Sequence, residues 1–356
     1  MRRHAAIVLA VLMLLLCGCG SGTEGNKLPE SKDPETTLQP ESEGSEADVQ
    51  PDSEGHETAT QPDSEGSETT TQLESGVTET AFQLKSGGYL LDAVYTNAGG
   101  GPAVLLIAGS GPSDADETVG GLKPFADIAK GLAEQGISVL RVEKRTYRYA
   151  ASLELTDGIE EEYFEDCRAA IQWLREQEGT EKVYLLGHSL GGQIAPVLAV
   201  QDGDIAGMIL WNSTPRHLAD VARDQVIQID PENKAVYEEL AVAAKAASYE
   251  TAKENYYYYG VNEYYWAGYN GIDVIGSIKS AGIPVLILNS RGDAQIFEED
   301  IQLWQELLEG DENVEIKLYD DMSHMGYRFD ASDEAAYYIP QEFPKELIED
   351  FADFCK

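Results

Sequence analysis

The pentapeptide at 187–191 reads Gly-His-Ser-Leu-Gly, a Gly-x-Ser-x-Gly pattern whose central Ser189 can serve as a nucleophile. In this pattern the serine lies on a tight turn between a strand and a helix, and the small flanking residues let these elements pack closely. The sequence predicts this context, with a strand over 182–186 and a helix over 191–200. A glycine-rich phosphate-binding turn is the alternative, but a suitably placed lysine is lacking.

A serine hydroxyl becomes a good nucleophile only when a base takes its proton. His324 is the predicted base among five histidines, because it lies just after the last predicted strand, 314–319, where this fold places its base. The other four lie in the N-terminal segments, beside the serine, or early in an inserted segment: His4, His56, His188 and His217. The alternative for His324 is a purely structural histidine.

Asp293 is the predicted third member, because it lies in a loop directly after the buried strand predicted over 284–288. Its carboxylate would accept a hydrogen bond from the imidazole of His324, which fixes the tautomer and stabilises the imidazolium. The acidic residues at 298–300 are the best alternatives. Their position, however, predicts the first turn of the next helix, where negative charge is favoured.

The tetrahedral intermediate of acyl transfer carries an oxyanion that needs two hydrogen-bond donors. The backbone N–H of Leu190, next to the nucleophile, is predicted to be one of them. The N–H of Ser110 is predicted to be the other, because the strand over 103–108 ends in Gly-Ser-Gly-Pro. In that loop Pro112 has no N–H, and Gly109 is needed for the turn. The predicted chemistry is therefore that of a serine hydrolase.

Short apolar runs alternate with amphipathic stretches over residues 81–356, which predicts an α/β domain with a mostly parallel, doubly wound sheet. Strands are predicted over 82–84, 90–95, 103–108, 138–142, 182–186, 205–211, 284–288 and 314–319, and helices over 124–135, 163–177, 191–200, 298–308 and from 344 onward. Such sheets bind ligands beyond the carboxyl ends of their strands. The predicted catalytic residues all fall at those ends.

Residues 213–275 interrupt this alternation and are predicted to form a helical cap inserted between two strands. The segment ends in a dense aromatic run. Tyr264, Tyr265 and Trp266 are predicted to wall the substrate pocket, since such pockets are mostly apolar with a few polar groups. The competing interpretation is that these aromatic residues only pack the cap onto the main domain.

The N-terminus predicts export. Arg2 and Arg3 precede a purely apolar run over 5–16 that is too short to span a bilayer permanently. Leu-Cys-Gly-Cys at 16–19 resembles the bacterial lipobox, which implies that 1–19 is a signal peptide and that Cys19 is lipidated. The expected protein is therefore extracytoplasmic and held at the membrane through Cys19. An ordinary signal peptide and an uncleaved anchor are the alternatives.

Residues 20–80 are predicted to be a disordered acidic linker, because they contain almost no large apolar residue to offset chain entropy. The pattern Gln-Pro-acid-Ser-Glu-Gly recurs at 39–44, 50–55 and 61–66. Each copy contains Pro and Gly and lacks an apolar stripe, which excludes a coiled coil. The segment is therefore expected to act as a tether.

The formal net charge of −39 argues against a nucleic-acid partner. Cys167 and Cys355 are the cysteines of the predicted folded part. They are expected to be free thiols on opposite faces of the sheet. No spacing of Cys and His residues predicts a metal site, and no cofactor is expected.

Several motifs together resemble a bacterial carboxylesterase family of the α/β-hydrolase fold. They are Ala-Gly-Ser-Gly-Pro at 108–112, Asp-Glu-Thr at 116–118, Glu-Lys-Arg-Thr at 143–146, Gly-His-Ser-Leu-Gly-Gly at 187–192 and Asp-Ala-Gln at 293–295. The resemblance covers essentially all of 81–356 and implies an esterase that acts on short acyl esters. The chain order Ser, Asp, His is the one this fold uses. The chain departs from the family at Ala108, where relatives have His, and at 290–293, where Ser-Arg-Gly-Asp replaces Gly-x-Arg-Asp.

The sequence therefore predicts a lipid-anchored serine carboxylesterase whose partner is a small-molecule or glycan-borne ester. A peptidase or an acyltransferase of the same fold is one alternative. A non-catalytic glycan-binding surface protein is another, since the tyrosine-rich cap offers aromatic faces that stack on sugars. A binding module, however, has no need of a complete catalytic triad.

Overall fold

The structure is a computed structural model that describes residues 68–73, 76–149, 158–252, 257–329, 339 and 341–356. The predicted signal peptide, Cys19 and most of the predicted linker lie outside these residues. Among the described residues, no helix combines the length and the apolar character needed to cross a bilayer.

The described residues form a sheet with the strand order β1-β2-β3-β5-β4-β6-β7-β10-β11. Its strands are β1 (Thr69–Gln72), β2 (Thr78–Ser86), β3 (Tyr89–Asn97), β4 (Gly101–Ile107), β5 (Ser138–Val142), β6 (Thr180–His188), β7 (Gly207–Trp211), β10 (Val285–Ser290) and β11 (Val314–Tyr319). β8 (Tyr257–Tyr258) and β9 (Val261–Asn262) form a separate hairpin. The strands from β5 to β11 in this order pair in parallel, whereas β1, β2 and β3 add an antiparallel edge.

Helices connect the parallel strands. They are α1 (Pro124–Glu134), α2 (Arg145–Tyr149), α3 (Asp166–Arg175), α4 (Gly191–Asp202), α5 (Leu218–Ile229), α6 (Lys234–Ala246), α7 (Glu263–Tyr269), α8 (Val274–Ala281), α9 (Glu298–Leu307) and α10 (Lys345–Cys355). A π-helical turn at Glu160–Glu165 leads into α3, and a 3₁₀ turn at Pro231–Asn233 separates α5 from α6.

The central strands bury both of their faces. Along β4, Leu105 and Ile107 belong to a core with α3, α4, α8 and α9, whereas Val104 and Leu106 belong to a second core with α1 and α10. Successive side chains of a strand point to opposite faces of the sheet, so a continuous apolar run supplies both cores. Each such side chain contributes about 1.5–3 kcal/mol when fully buried. The doubly wound α/β sheet predicted from the sequence is therefore present.

The two cysteines of the folded part are free, as expected. Cys167 packs against the core that contains α3 and α4, and Cys355 lies within the core that contains α1 and α10. They therefore lie on opposite faces of the sheet. Burial raises the pKa of the Cys355 thiol to about 12, which leaves it unreactive at neutral pH.

The folded part begins earlier than the boundary predicted at residue 81. The last part of the predicted linker, 20–80, contains β1 and the first residues of β2. The four residues of β1 are all exposed, and Thr70 pairs with Thr80 through its side chain. An exposed edge strand is held by backbone pairing and needs no apolar alternation. For this reason the apolar pattern did not reveal it.

The insertion between β7 and β10 contains a β-hairpin in addition to the helices predicted for a cap over 213–275. It contains α5, α6, the β8–β9 hairpin and α7, whereas α8 packs against α4 of the main domain. The hairpin turns at Tyr259 and Gly260, whose φ angles are +52° and +81°. Two positive φ angles match the two-residue turns that suit the twist of a hairpin. The tyrosine-rich stretch therefore forms a small β element there.

Candidate active site

Ser189 occupies a strained turn at the carboxyl end of β6. Its φ angle is +52°, in the left-handed region that residues with a Cβ seldom adopt. The N–H of Ser189 donates to the carbonyl oxygen of Trp211 at 3.0 Å, and the N–H of Gly192 donates to the carbonyl oxygen of Ser189 at 3.0 Å. These bonds hold the turn between β6 and α4, with Ser189 in the wall of a cavity.

Two glycines of the Gly-x-Ser-x-Gly pattern are required by close backbone approach. A Cβ on Gly187 would lie 2.2 Å from the carbonyl oxygen of Gly191, and a Cβ on Gly191 would lie 2.1 Å from the carbonyl oxygen of Ile107. Backbone atoms cannot move aside as a flexible side chain can. The pattern therefore allows α4 to start directly against β4 and β6.

His324 and Asp293 meet at the carboxyl edge of the sheet, after β11 and β10. The Nδ1 atom of His324 lies 2.7 Å from Oδ2 of Asp293. The other carboxylate oxygen, Oδ1, accepts the N–H groups of Gln295 at 2.7 Å and Ile296 at 3.2 Å. Because a carboxylate only accepts, Nδ1 carries a proton and Nε2 is left to act as a base when the ring is neutral.

The acidic residues at 298–300, which were the alternatives to Asp293, make other contacts. Asp300 is fully buried, accepts two hydrogen bonds from the Arg216 guanidinium at 2.7 and 3.0 Å, and accepts the N–H of Phe297 at 2.8 Å. It therefore joins the start of α9 to the segment that leads into α5. Glu298 and Glu299 are exposed in the first turn of α9.

His188, which precedes the serine, points away from the cavity and supports the loop of His324. Its Nε2 contacts the carbonyl oxygen of His324 at 2.9 Å, and its Nδ1 contacts Oε1 of Glu117 at 2.8 Å. Burial alone would lower the pKa of His188, but the Glu117 carboxylate raises it above its ordinary value. Asn212 donates to the same carbonyl oxygen at 2.8 Å. The Glu117–His188 pair was not predicted, although both residues belong to motifs of the resemblance.

The backbone N–H groups of Ser110 and Leu190 face no acceptor among the described residues, and both residues line the cavity beside Ser189. In the loop after β4 that contains Ser110, the N–H of Gly109 donates to Oε1 of Glu117 at 2.7 Å. Buried N–H groups normally find a partner. Two unused donors beside a strained serine are therefore available to a ligand oxygen.

Lys144, two residues after β5, binds the backbone carbonyl groups of the same loop. Its Nζ donates to the carbonyl oxygens of Gly109 at 3.0 Å and Gly111 at 2.7 Å, and to the hydroxyl of Tyr163 at 2.7 Å. Burial lowers the pKa of the Lys144 ammonium, and the Glu162 carboxylate at 3.1 Å opposes that shift. The carbonyls on both sides of Ser110 are thereby fixed. The motif at 143–146 contains this lysine, but the sequence alone does not reveal its role.

The cavity beside Ser189 has a volume of about 220 Å³. Of the three residues predicted to wall the substrate pocket, Tyr265 and Trp266 line this cavity, whereas Tyr264 is not among the lining residues. In α7 each residue turns by about 100° from the one before, so three consecutive side chains cannot share one face. Tyr264 therefore remains half-buried outside the cavity.

The aromatic cap residues also form a packed cluster. Trp266 is 1% exposed and packs against Tyr259, Tyr265 and Tyr269. Its Nε1 donates to the carbonyl oxygen of Tyr258 at 3.0 Å, which ties α7 to the hairpin. Trp266 therefore both lines the cavity and packs the cap, the two roles that the sequence left as alternatives. Within the described residues, no cluster of His, Cys, Asp and Glu is arranged to hold a metal ion.

Parts of the chain are similar in sequence to known hydrolases. Residues 122–255 match the family described as "Serine aminopeptidase, S33". The chain is 35% identical over 226 residues to Esterase EstD of Thermotoga maritima. That alignment covers 63% of this chain and 54% of EstD, so the chain spans about half the length of this relative.

Solved structures give the fold. Est1E from Butyrivibrio proteoclasticus matches with a TM-score of 0.51 at 15% identity, over 76% of this chain and 96% of that enzyme. Its complex with ferulic acid matches with a TM-score of 0.53, also at 15% identity, over 77% and 97%. The chain has the α/β-hydrolase fold. In an α/β-hydrolase the nucleophile, the acid and the base follow one another along the chain in that order, which is also the order of Ser189, Asp293 and His324.

Proposed function

We propose that this α/β-hydrolase is a serine carboxylesterase that hydrolyses short-chain acyl esters. One observation carries the proposal. The His324–Asp293 pair, with Nδ1 and Oδ2 2.7 Å apart, lies at the same sheet edge as the strained Ser189. The identity to Esterase EstD over 226 residues supports an ester as the substrate.

The proposed reaction has two halves. In the first, Nε2 of His324 takes the hydroxyl proton of Ser189 while Oγ attacks the ester carbonyl carbon. The resulting oxyanion accepts hydrogen bonds from the N–H groups of Ser110 and Leu190. When the C–O bond to the alcohol breaks, His324 returns the proton to the alcohol oxygen. In the second half, water repeats these steps on the acyl-serine and releases the acid.

The preference for short acyl groups rests on the size of the cavity. Ligand pockets for drug-sized molecules have volumes of about 300–1,000 Å³, whereas this cavity has about 220 Å³. Leu218, Val221 and Ile296 supply apolar walls, and Tyr265 and Trp266 supply aromatic ones. A long acyl chain would have to leave the cavity and lose this burial.

A substrate panel tests the proposal. We expect the purified protein to hydrolyse 4-nitrophenyl acetate and butyrate with a higher kcat/KM than the decanoate and dodecanoate. The match to a serine aminopeptidase family favours an amide-cleaving enzyme as the second candidate, so an aminoacyl 4-nitroanilide belongs to the same panel. Faster turnover of the anilide than of every ester would replace the esterase with a peptidase. No turnover of any ester would remove the proposed function.

We further propose that the enzyme is extracytoplasmic and anchored through Cys19, on the strength of the Leu-Cys-Gly-Cys sequence at 16–19. When the full chain is made in a bacterial host, we expect it in the membrane fraction. Its mature N-terminal peptide should carry a diacylglycerol on Cys19. The Cys19→Ser variant should lose the lipid, whereas the matched Cys17→Ser variant should keep it. Equal membrane recovery of wild type and Cys19→Ser, without lipid on the peptide, would contradict the anchor.

A further inference from the structure

Glu162 is a carboxylate in the wall of the proposed substrate cavity. It belongs to the π-helical turn at Glu160–Glu165, is 7% exposed, and lines the cavity together with Ser189 and Ser110. Among the described residues that form this wall, Glu162 alone has an ionisable carboxylate or a basic side chain. The other polar groups of the wall are hydroxyls and amides. An ester that enters the cavity therefore meets the carboxylate group of Glu162 near the predicted oxyanion loop.

Neighbouring donors hold this carboxylate in place. The Thr146 hydroxyl donates to Oε1 of Glu162 at 2.5 Å, and Tyr265 lines the same cavity. Burial raises the pKa of Tyr265 well above its ordinary value, and the charge of Glu162 adds to this effect, so Tyr265 stays protonated and can donate. The Thr146 hydroxyl therefore fixes the orientation of the Glu162 carboxylate.

The ammonium of Lys144, the nearest cation, does not line the cavity as Glu162 does. Lys144 lies 3.1 Å from Oε1 of Glu162 but is not among the lining residues. Its three N–H donors already bind the carbonyl oxygens of Gly109 and Gly111 and the hydroxyl of Tyr163. An ammonium has three donors only. A ligand therefore meets the carboxylate, while the ammonium is directed into the oxyanion loop.

We propose that Glu162 selects substrates by charge: it rejects esters with a negative charge near the reacting carbonyl and accepts neutral esters that carry a hydrogen-bond donor. This inference rests on the proposed esterase function and narrows its substrate class. A buried carboxylate repels a second one strongly, because little water screens the pair. A hydroxyl or amide group can instead donate to it.

Matched esters test this selection. In the acyl series, 4-nitrophenyl hexanoate is compared with the adipate monoester, which ends in a carboxylate, and with the adipamate, which ends in a neutral amide. In the alcohol series, the butyrate ester of 4-hydroxybenzoate is compared with that of 4-hydroxybenzamide. In at least one series we expect the wild-type kcat/KM of the anionic ester to be at least about tenfold below that of its amide counterpart.

Glu162→Gln keeps the size of the side chain and removes its charge. We expect the anionic-to-amide ratio of kcat/KM to rise at least about tenfold in this variant. Any effect on the oxyanion loop through Lys144 lowers kcat/KM for both substrates by the same factor and leaves their ratio unchanged. Glu160→Gln is the matched control, since Glu160 is exposed on the same turn and pairs with Arg168. Its ratio should equal that of the wild type.

The outcomes separate this inference from the proposed function. Hydrolysis of neutral esters with equal wild-type rates for anionic and amide esters in both series would overturn the role of Glu162 and leave the esterase intact. This comparison needs no variant, so it decides the matter even if Glu162→Gln does not fold. A ratio unchanged by Glu162→Gln would also overturn the role. No hydrolysis of any ester by the wild type would instead remove the proposed function.

Discussion

Ser189→Ala is expected to lower kcat for 4-nitrophenyl butyrate by at least about 10⁴-fold, because the acyl-enzyme cannot form without Oγ. The fold should persist. Serine and alanine both carry a Cβ, so the φ of +52° at this position is no more strained in the variant. The hydrogen bonds of the turn use the backbone of Ser189, and these remain. Steady-state kinetics and circular dichroism measure both effects.

Covalent labelling provides the control for this prediction. A fluorophosphonate should add to the peptide that contains Ser189 in the wild type and to no peptide of Ser189→Ala. Ser280→Ala, an exposed serine on α8, should keep wild-type kinetics and labelling. If Ser189→Ala retained more than about a tenth of the wild-type kcat, the nucleophile would lie elsewhere.

Lys144→Met is expected to lower kcat by about 10²-fold while KM changes little. Lys144 does not touch the substrate in the proposed reaction. It is a positioning residue that binds the carbonyl oxygens of Gly109 and Gly111 and so orients the N–H of Ser110 between them. Methionine has a similar volume but cannot donate. The loop would keep the hydrogen bonds from the Tyr163 hydroxyl to the Gly109 carbonyl and from the Gly109 N–H to Glu117, and would lose the two that the Lys144 ammonium donates.

An inhibitor pair separates positioning from general loss of structure. A trifluoromethyl ketone forms a tetrahedral adduct with an oxyanion, so its affinity should fall by about the same factor as kcat/KM in Lys144→Met. The corresponding alcohol forms no oxyanion and should bind equally to both proteins. Lys130→Met, an exposed lysine on α1, is the matched control. Equal weakening of both inhibitors would contradict the role of Lys144 in the oxyanion loop.

Local sequence patterns were sufficient for the elements that carry the candidate triad. Short strand patterns marked β6, β10 and β11, and parallel strands bring their carboxyl ends to the same edge. A polar residue shortly after each strand is therefore placed near the others whatever the details of packing. On that reasoning Ser189, Asp293 and His324 were expected at one edge, and the structure places them there. Their catalytic roles remain predictions.

Several supporting residues were found only in the tertiary structure. Glu117 contacts His188 across 71 positions of the chain, and Lys144 reaches back 35 positions to Gly109. Neither contact leaves a periodic signal, because each depends on how a loop closes over the strand ends. The same holds for Glu162, whose place in a π-helical turn directs it into the cavity.

The position of the edge strand β1 and the orientation of the aromatic cap residues were also seen only in the structure. The β1 strand has no apolar side to recognise, since pairing with β2 uses backbone groups. In the cap, the sequence shows many aromatic residues but cannot say which of them face a ligand, because hydrophobicity drives a side chain equally into a pocket wall or into a packed core. The turn of α7 decided that Tyr265 and Trp266 line the cavity and that Tyr264 does not. The strand and helix pattern thus determined the fold and the order of the candidate triad. Contacts between loops that are distant in the chain determined which residues support the candidate triad and which residues line the cavity beside it.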